Sequence, residues 1–291
     1  MKKLTALLIL AAVTMCLCPA FAEDVTFGAI TVDKDAEYVD LGKYVIGMNE
    51  FDSFYAFLDR LPRLKKVDMF ATVVWANRIG EMAERYPDVE FGWTMGIMEH
   101  RIRTDQTAFS TLHSSHTPTH SERDFAILKY CKNLLALDIG HNSVKDLSFL
   151  YDLPKLRVLI IGRNPDITDI TPIGSLKDLE YLEMFSLMVS DISPLSGLEH
   201  LIDLDIAYNM IGDYSPLYGM TQLKRLWLYN SNNYNDEIPV PYEVVNELRE
   251  RLPDCEIDAE NHPTGGTWRK HERYSVIKKM FYSGEYIPFA Q

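Results

Sequence analysis

Three histidines lie close together in one short segment, and imidazole is a common ligand of zinc. His113, His116 and His120 occupy the stretch LHSSHTPTH. Zinc needs three or four ligands that converge at about 2.0–2.3 Å. Pro118 opposes the helix that would bring His116 and His120 onto one face, and Ser, Thr and Pro dominate the segment, as in a surface loop. We therefore expect a loop without a bound metal, these histidines being the only clustered zinc-ligand candidates that the sequence offers.

Other chemistry has little support in the sequence. No nucleophile elbow, Gly-rich phosphate loop or H-E-x-x-H motif occurs. The run from Asp33 to Glu37 resembles the start of a calcium-binding loop, but Tyr38 stands where an EF-hand needs Gly, so a solvated turn is expected. We predict no catalytic residues and no cofactor.

The first 22 residues have the pattern of a secretory signal peptide. Lys2 and Lys3 precede an apolar run, and Ala20-Phe21-Ala22 offers small residues at the two positions that a signal peptidase recognises. We expect residues 1–22 to be removed and the remainder to be secreted or held in the cell envelope. No other apolar run is long enough to span a bilayer, so we expect no membrane insertion.

Charge and cysteine content limit the possible partners and the possible disulfide bonds. The formal net charge is −13, which argues against nucleic acid as a partner. Cys131 and Cys255 are the only cysteines beyond the signal peptide, too few for a disulfide framework. Cys131 matches the core position of Leu153 in the next repeat, and Cys255 matches Val89 in a similar segment. The two cysteines lie at opposite ends of the repeats, so we predict two buried free thiols.

A repeat organises the middle of the chain. The pattern L-x-x-L-x-L-x-x-N recurs at intervals of 22, 23, 22 and 22 residues, and its copies start at Leu134, Leu156, Leu179, Leu201 and Leu223. Asn142, Asn164 and Asn209 fill the last position, which Leu187 and Ser231 take in the third and fifth copies.

The second half of each copy repeats as well. Ile192-Ser193-Pro194-Leu195 has counterparts at 170–173 and 214–217. Ser or Thr is a good helix cap and Pro suits the first helical position, so a short 3₁₀ turn should begin there. An aspartate precedes each block, and these aspartates either accept turn hydrogen bonds, as we expect, or form a calcium ladder: Asp146, Asp169, Asp191 and Asp213.

Residues 134–231 resemble internalin-type leucine-rich repeats, as in the run from Val189 to Leu195, VSDISPL. The resemblance implies a curved α/β solenoid with parallel strands on its concave face, turns on its convex face and Asn side chains that bond backbone between coils. The best-known members of that family are bacterial surface proteins that bind host receptors through the concave face. Unlike those proteins, this one is expected to have no cell-wall sorting motif and no immunoglobulin-like domain after the repeats.

The flanking segments look like looser, helix-bearing coils of the same solenoid. Helical spacing followed by Pro62, Pro87 and Pro253 predicts helices that stop at those prolines. We divide the chain into a signal peptide at 1–22, irregular coils at 23–133, regular repeats at 134–231, and a C-terminal coil with a helical cap at 232–291. The cap should cover the apolar core at the open end of the solenoid.

The concave face is the predicted binding surface. Residues between the core positions of each strand alternate outward, and we expect the large and charged ones to face solvent and bind a protein, peptide or glycan: Tyr181, Glu183, Phe185, Asp203, Asp205, Arg225, Trp227 and Tyr229. Exposed aromatic side chains among charges are typical of binding sites. Two alternatives stay open: the aromatic residues pack under a terminal segment, or the protein is a non-catalytic structural or assembly component of the envelope.

Overall fold

A computed structural model describes residues 23–112, 120–232, 239–261 and 268–289. The predicted signal peptide, His113 and His116 lie outside the described residues.

The fold is built from short strands, short 3₁₀ turns and a few α-helices. The strands are β1 (Asp24–Phe27), β2 (Ile30–Asp33), β3 (Tyr38–Asp40), β4 (Lys66–Val74), β5 (Glu90–Ile97), β6 (His100–Arg103), β7 (Ala108–Ser110), β8 (Ala136–Asp138), β9 (Val158–Ile160), β10 (Tyr181–Glu183), β11 (Asp203–Asp205), β12 (Arg225–Trp227) and β13 (Glu256–Asp258). The α-helices are α1 (Phe51–Leu58), α2 (Ala76–Arg85), α3 (Glu122–Phe125), α4 (Tyr242–Arg251) and α5 (Glu272–Ser283). The 3₁₀ turns are Ala126–Tyr130, Ser148–Asp152, Thr171–Ser175, Ser193–Gly197, Ser215–Leu217 and Trp268–Lys270.

Strands β7 to β13 form one parallel sheet of seven strands, in sequence order. Each repeat supplies one strand, and equivalent residues pair in register, as Leu182 does with Leu159 and Leu204. From β8 to β12, a 3₁₀ turn returns the chain from each strand to the next, as Pro at the first or second helical position predicts in three of these coils. Helix α4 takes this place between β12 and β13. The predicted α/β leucine-rich repeat solenoid is confirmed.

The Asn ladder is also confirmed. The Nδ2 group of Asn164 donates to the carbonyl oxygens of Ile139 and Ile161 at 3.0 and 2.8 Å, and its Oδ1 accepts from the backbone of Val144. Asn209 makes the equivalent bonds two coils later, and both side chains are fully buried. These asparagines satisfy backbone groups that the turn after each strand would otherwise leave unpaired.

The turn aspartates behave as expected from their position. The carboxylates of Asp146, Asp169, Asp191 and Asp213 each accept from the backbone N–H two residues later, at 2.8 to 2.9 Å. Hydrogen bonds from the side chain and the backbone of that residue together lower the pKa of all four carboxyls. Their role in closing the turn is therefore established by geometry.

The N-terminal part forms sheets of its own. Strands β1 and β2 are an antiparallel hairpin, while β3, β4 and β5 run parallel and β6 returns antiparallel beside β5. The regular seven-stranded sheet begins at Ala108, ahead of the first recognised repeat. A single apolar core nevertheless runs from Val25 to Leu252, so the sheets share one interior.

Both cysteines of the described chain are free thiols, as predicted. Cys131 is buried, whereas Cys255 is only half-buried, and desolvation raises the pKa of each thiol to about 12. Among the described residues no helix has the length and apolar character needed to span a membrane.

Candidate functional site

The predicted binding residues of the concave face are not exposed to solvent, and that part of the prediction is wrong. Seven of them retain 3% or less of their accessible surface: Tyr181, Glu183, Phe185, Asp203, Asp205, Arg225 and Trp227. Tyr229 is half-buried and packs edge-to-face on Tyr208 with ring centroids 5.3 Å apart. The strand alternation does direct these side chains out of the solenoid core, but another part of the chain covers them.

The cover is the C-terminal segment, defined here as residues 268–289. Instead of closing the open end of the solenoid, as we expected of the cap, it crosses the concave face. The Trp268 ring contacts the rings of Tyr181 and Trp227, with centroids 5.4 and 5.9 Å away. Ile277 and Met280 of α5 complete a second apolar cluster on the concave side. This cluster buries apolar surface that a bare concave face would expose to water.

A charge network fixes the segment at one end. Arg225 forms a bidentate pair with the Asp203 carboxylate at 3.1 and 2.8 Å, and Arg273 of α5 donates to the same carboxylate at 2.7 Å. The Arg225 guanidinium also lies 4.3 Å from the centroid of the Trp268 ring. The buried carboxylate thus has two cationic partners, one of which belongs to the cover.

A second network lies on the neighbouring strand β10. The Glu183 carboxylate accepts from Arg269 at 2.6 Å, from the Tyr181 hydroxyl at 2.9 Å and from the Trp268 indole at 3.3 Å. Glu183 is fully buried, so these donors replace its hydration.

Two further buried carboxyls lie in the same row of the sheet. Burial and the nearby Glu183 charge raise the pKa of Asp205 well above its usual value, and its Oδ2 atom has no hydrogen-bond partner among the described residues. Burial raises the pKa of Asp138 to about 7, although the Gly140 N–H and the Ser110 hydroxyl donate to it. Both environments favour the protonated acid over the carboxylate.

An open cleft remains where the segment does not cover the concave face. It has a volume of about 600 Å³ and lies between α5 and strands β8 and β9. Asp138 and Ile160 line its solenoid side, and Tyr274 and Phe281 line its α5 side. Leu112, 40% exposed, lies at its margin. The lining is mostly apolar with a few polar groups, which is typical of ligand sites.

The predicted surface loop at the histidines is wrong for His120. Its side chain is 1% exposed and its ring packs 5.7 Å from the Phe125 ring. His120 lies beside Glu99 of the β5–β6 turn and His100 of β6, and the potential ligand atoms of the three side chains lie within 4.8 Å of one another. Sequence spacing gave no sign of this arrangement, because Glu99 and His100 reach His120 through the fold.

Trp268, Arg269 and Arg273 were not predicted as partners of the concave face. Charge offered a signal: the segment carries a cationic run in an acidic chain, while strands β10 and β11 carry acids at outward positions. Complementary charge on two parts of one chain predicts their contact better than either part does alone.

The family described as leucine-rich repeats (2 copies) matches residues 132–175, so the chain carries leucine-rich repeats. No curated protein shows a significant match to the sequence. Similar solved structures include internalin C2 of Listeria monocytogenes, which is 22% identical with a TM-score of 0.38; the similarity covers 57% of this chain and 71% of that one.

Internalin F of Listeria monocytogenes is 19% identical with a TM-score of 0.37, and the similarity covers 71% of each chain. A leucine-rich repeat protein of Leptospira interrogans is 20% identical with a TM-score of 0.44. That similarity covers 69% of this chain and 50% of the other.

Proposed function

We propose that the protein is a non-catalytic recognition module, secreted or held in the cell envelope, that binds a protein or peptide in the cleft between α5 and strands β8 and β9. The observation that carries the proposal is the cleft itself, an apolar concavity of about 600 Å³ on the concave side. Leucine-rich repeats are a common protein-interaction fold, which supports the same function. The signal peptide pattern of residues 1–22 supports the location.

The chemistry of the cleft favours one class of ligand. An apolar lining receives an aliphatic or aromatic side chain, whereas a glycan would leave hydroxyl groups unpaired there. Arg269, Lys278 and Lys279 are the cations around the cleft, and they favour an acidic residue beside the apolar anchor. A second cleft of about 700 Å³, near Arg101, Arg103 and Asp105, has a more polar lining and suits such an anchor less well.

The concave residues acquire a different role in this proposal. Glu183 and Asp203 hold Arg269 and Arg273, and thereby position α5 as one wall of the cleft. Trp227 and Tyr181 pack against the Trp268 ring on its solenoid side. A foreign ligand would contact these side chains directly only after the C-terminal segment had left the face.

Peptide selection with matched variants tests the proposal. The purified protein selects binders from a random peptide library, and fluorescence anisotropy then gives their affinities for the wild type, Leu112→Glu and Met48→Glu. Leu112 lines the cleft, while Met48 is 86% exposed outside it. A carboxylate at position 112 would repel the acidic, apolar ligand and should weaken binding at least about tenfold, which corresponds to ~1.4 kcal/mol. The Met48→Glu control should bind like the wild type.

Two results would count against this function. Selected peptides that bind all three proteins with equal affinity would move the site away from the cleft. A shift in self-association on Leu112→Glu, measured by ultracentrifugation with no peptide affected, would favour the assembly role instead.

A further inference from the structure

Glu99, His100 and His120 form a cluster at the junction between the N-terminal sheet and the repeats. Glu99 lies in the turn that joins β5 to β6, and His100 begins β6. His120 precedes α3 and contacts Asn142 of the ladder. The three residues thus connect two parts of the fold that lie far apart in sequence.

Asn142 fixes the hydrogen position on His120. The Nδ2 group of Asn142 donates to the carbonyl oxygens of Ile139 and Gly140 at 3.0 and 3.1 Å, so its Oδ1 atom must be the acceptor that faces His120. That Oδ1 accepts from the His120 backbone N–H and lies 2.9 Å from His120 Nδ1. Nδ1 must therefore carry a hydrogen, which leaves the lone pair of the neutral ring on Nε2.

The His120 Nε2 atom points at a carboxylate. It is buried, it has no hydrogen-bond partner among the described residues, and Glu99 Oε2 lies 3.8 Å away. The other carboxylate oxygen, Oε1, lies 3.3 Å from His100 Nε2. A buried lone pair this close to a carboxylate oxygen is best satisfied by a cation between the two atoms.

We propose that Glu99, His100 and His120 bind a divalent zinc ion. Two imidazoles and one carboxylate match a known zinc ligand set, and imidazole disfavours calcium and magnesium. Ligands at about 2.0–2.2 Å from zinc lie about 3.3 Å apart in a tetrahedron, close to the His100–Glu99 and His120–Glu99 distances of 3.3 and 3.8 Å. The bond from His120 Nδ1 to Asn142 is the outer-shell contact that orients a metal-binding histidine.

The zinc ion would connect the β5–β6 turn to the first coil of the repeats. It binds the folded chain, in which the three side chains converge, more tightly than the unfolded chain, in which they do not, and so it stabilises the fold. Zinc at 100 times its Kd should raise the Tm by roughly 5–10 °C.

The experiment uses the purified protein without a histidine tag, stripped of metal by a chelator. Isothermal titration with zinc chloride should show one ion per chain, and cobalt(II) should give the visible absorption of a tetrahedral complex. Glu99→Gln, His100→Gln and His120→Gln should each weaken zinc binding at least tenfold. Glu199 and His200 are adjacent in sequence, exposed and of the same residue types. Glu199→Gln and His200→Gln should leave zinc binding unchanged.

Glu99→Gln and His100→Gln decide the matter if His120→Gln fails to fold, because Glu99 and His100 are less buried. The proposal is overturned if the metal-free protein binds no zinc. It is equally overturned if zinc binds the Glu99 and His100 variants with wild-type affinity.

Discussion

Arg273 of α5 donates from its guanidinium to Oδ1 of Asp203 on β11 at 2.7 Å, across 70 residues of sequence. Arg225, on the neighbouring strand, holds the same carboxylate from the solenoid side. The pairing attaches the C-terminal segment to the concave face at a carboxylate that is fully buried. A charge-assisted hydrogen bond in such a place is stronger than one at the surface.

Arg273→Met should therefore destabilise the protein. Asp203 keeps Arg225 as a partner, so the expected loss is that of one charged hydrogen bond, about 1.5–3 kcal/mol. Arg123→Met, at an exposed position of α3, is the matched control and should change the free energy of unfolding by less than about 0.5 kcal/mol. Urea titration measures both variants, and equal midpoints would show that Arg273 does not hold the segment.

Asn209→Ala should be among the costlier polar truncations in the repeats. Its amide donates to the carbonyl oxygens of Met184, Ile206 and Ala207 at 3.0 to 3.2 Å. Removing it leaves buried acceptors unpaired, at about 1–3 kcal/mol. Asn133→Ala, at an exposed position, is the control. Thermal melts compare the two, and an unchanged Tm for Asn209→Ala would contradict the ladder.

Arg163→Gly should stabilise the protein, although it removes a side chain. Arg163 is exposed and has a φ of 58°, in the left-handed region, and the residue before each ladder position shares this conformation. Glycine adopts it without the clash of a Cβ atom, so we expect a gain of about 0.5–1 kcal/mol.

The control for Arg163→Gly is a glycine substitution that should lower stability instead of raising it. Arg249 is exposed in helix α4, where glycine costs up to about 1 kcal/mol. Arg249→Gly should therefore lower the urea midpoint that Arg163→Gly raises. A fall for both variants would mean that Arg163 contributes contacts that outweigh its backbone strain.

The repeats could be predicted from sequence because leucine, isoleucine or methionine recurs at the same core positions, and Pro or Asn recurs in most of the turns. The antiparallel β6 could not, since alternating apolar residues do not specify strand direction. The exposure of Trp227 could not be predicted either. Strand alternation states that its side chain leaves the solenoid core, but burial depends on what lies over the face, here Trp268.

His120 illustrates the same limit for the candidate metal ligands. Sequence proximity grouped it with His113 and His116, whereas the fold places it beside Glu99 and His100. Ligand sets that form between separate coils leave no spacing pattern in one sequence. Only the tertiary structure brings such residues together.

Asp138 should make stability depend on pH. Its folded-state pKa of about 7 lies above the ordinary value of 3.8 because burial disfavours the charged form. Between these pH values the folded protein keeps a proton that the unfolded chain releases, so this group lowers the free energy of unfolding as pH rises from about 4 to 7. Above the folded pKa its contribution no longer changes.

Asp138→Asn replaces the titrating carboxyl with a neutral amide, so the fall in the free energy of unfolding with rising pH should disappear. Each pKa unit corresponds to ~1.4 kcal/mol, so the variant should gain several kcal/mol relative to the wild type between pH 4 and pH 7. Asp146→Asn is the control of opposite sign, because hydrogen bonds from Ser148 lower the pKa of Asp146. As pH rises through the acid range, the free energy of unfolding of the wild type should increase relative to that of Asp146→Asn. Urea titrations at several pH values measure both differences. A constant difference between the wild type and Asp138→Asn from pH 4 to pH 7 would show that Asp138 ionises as readily in the folded protein as in the unfolded chain.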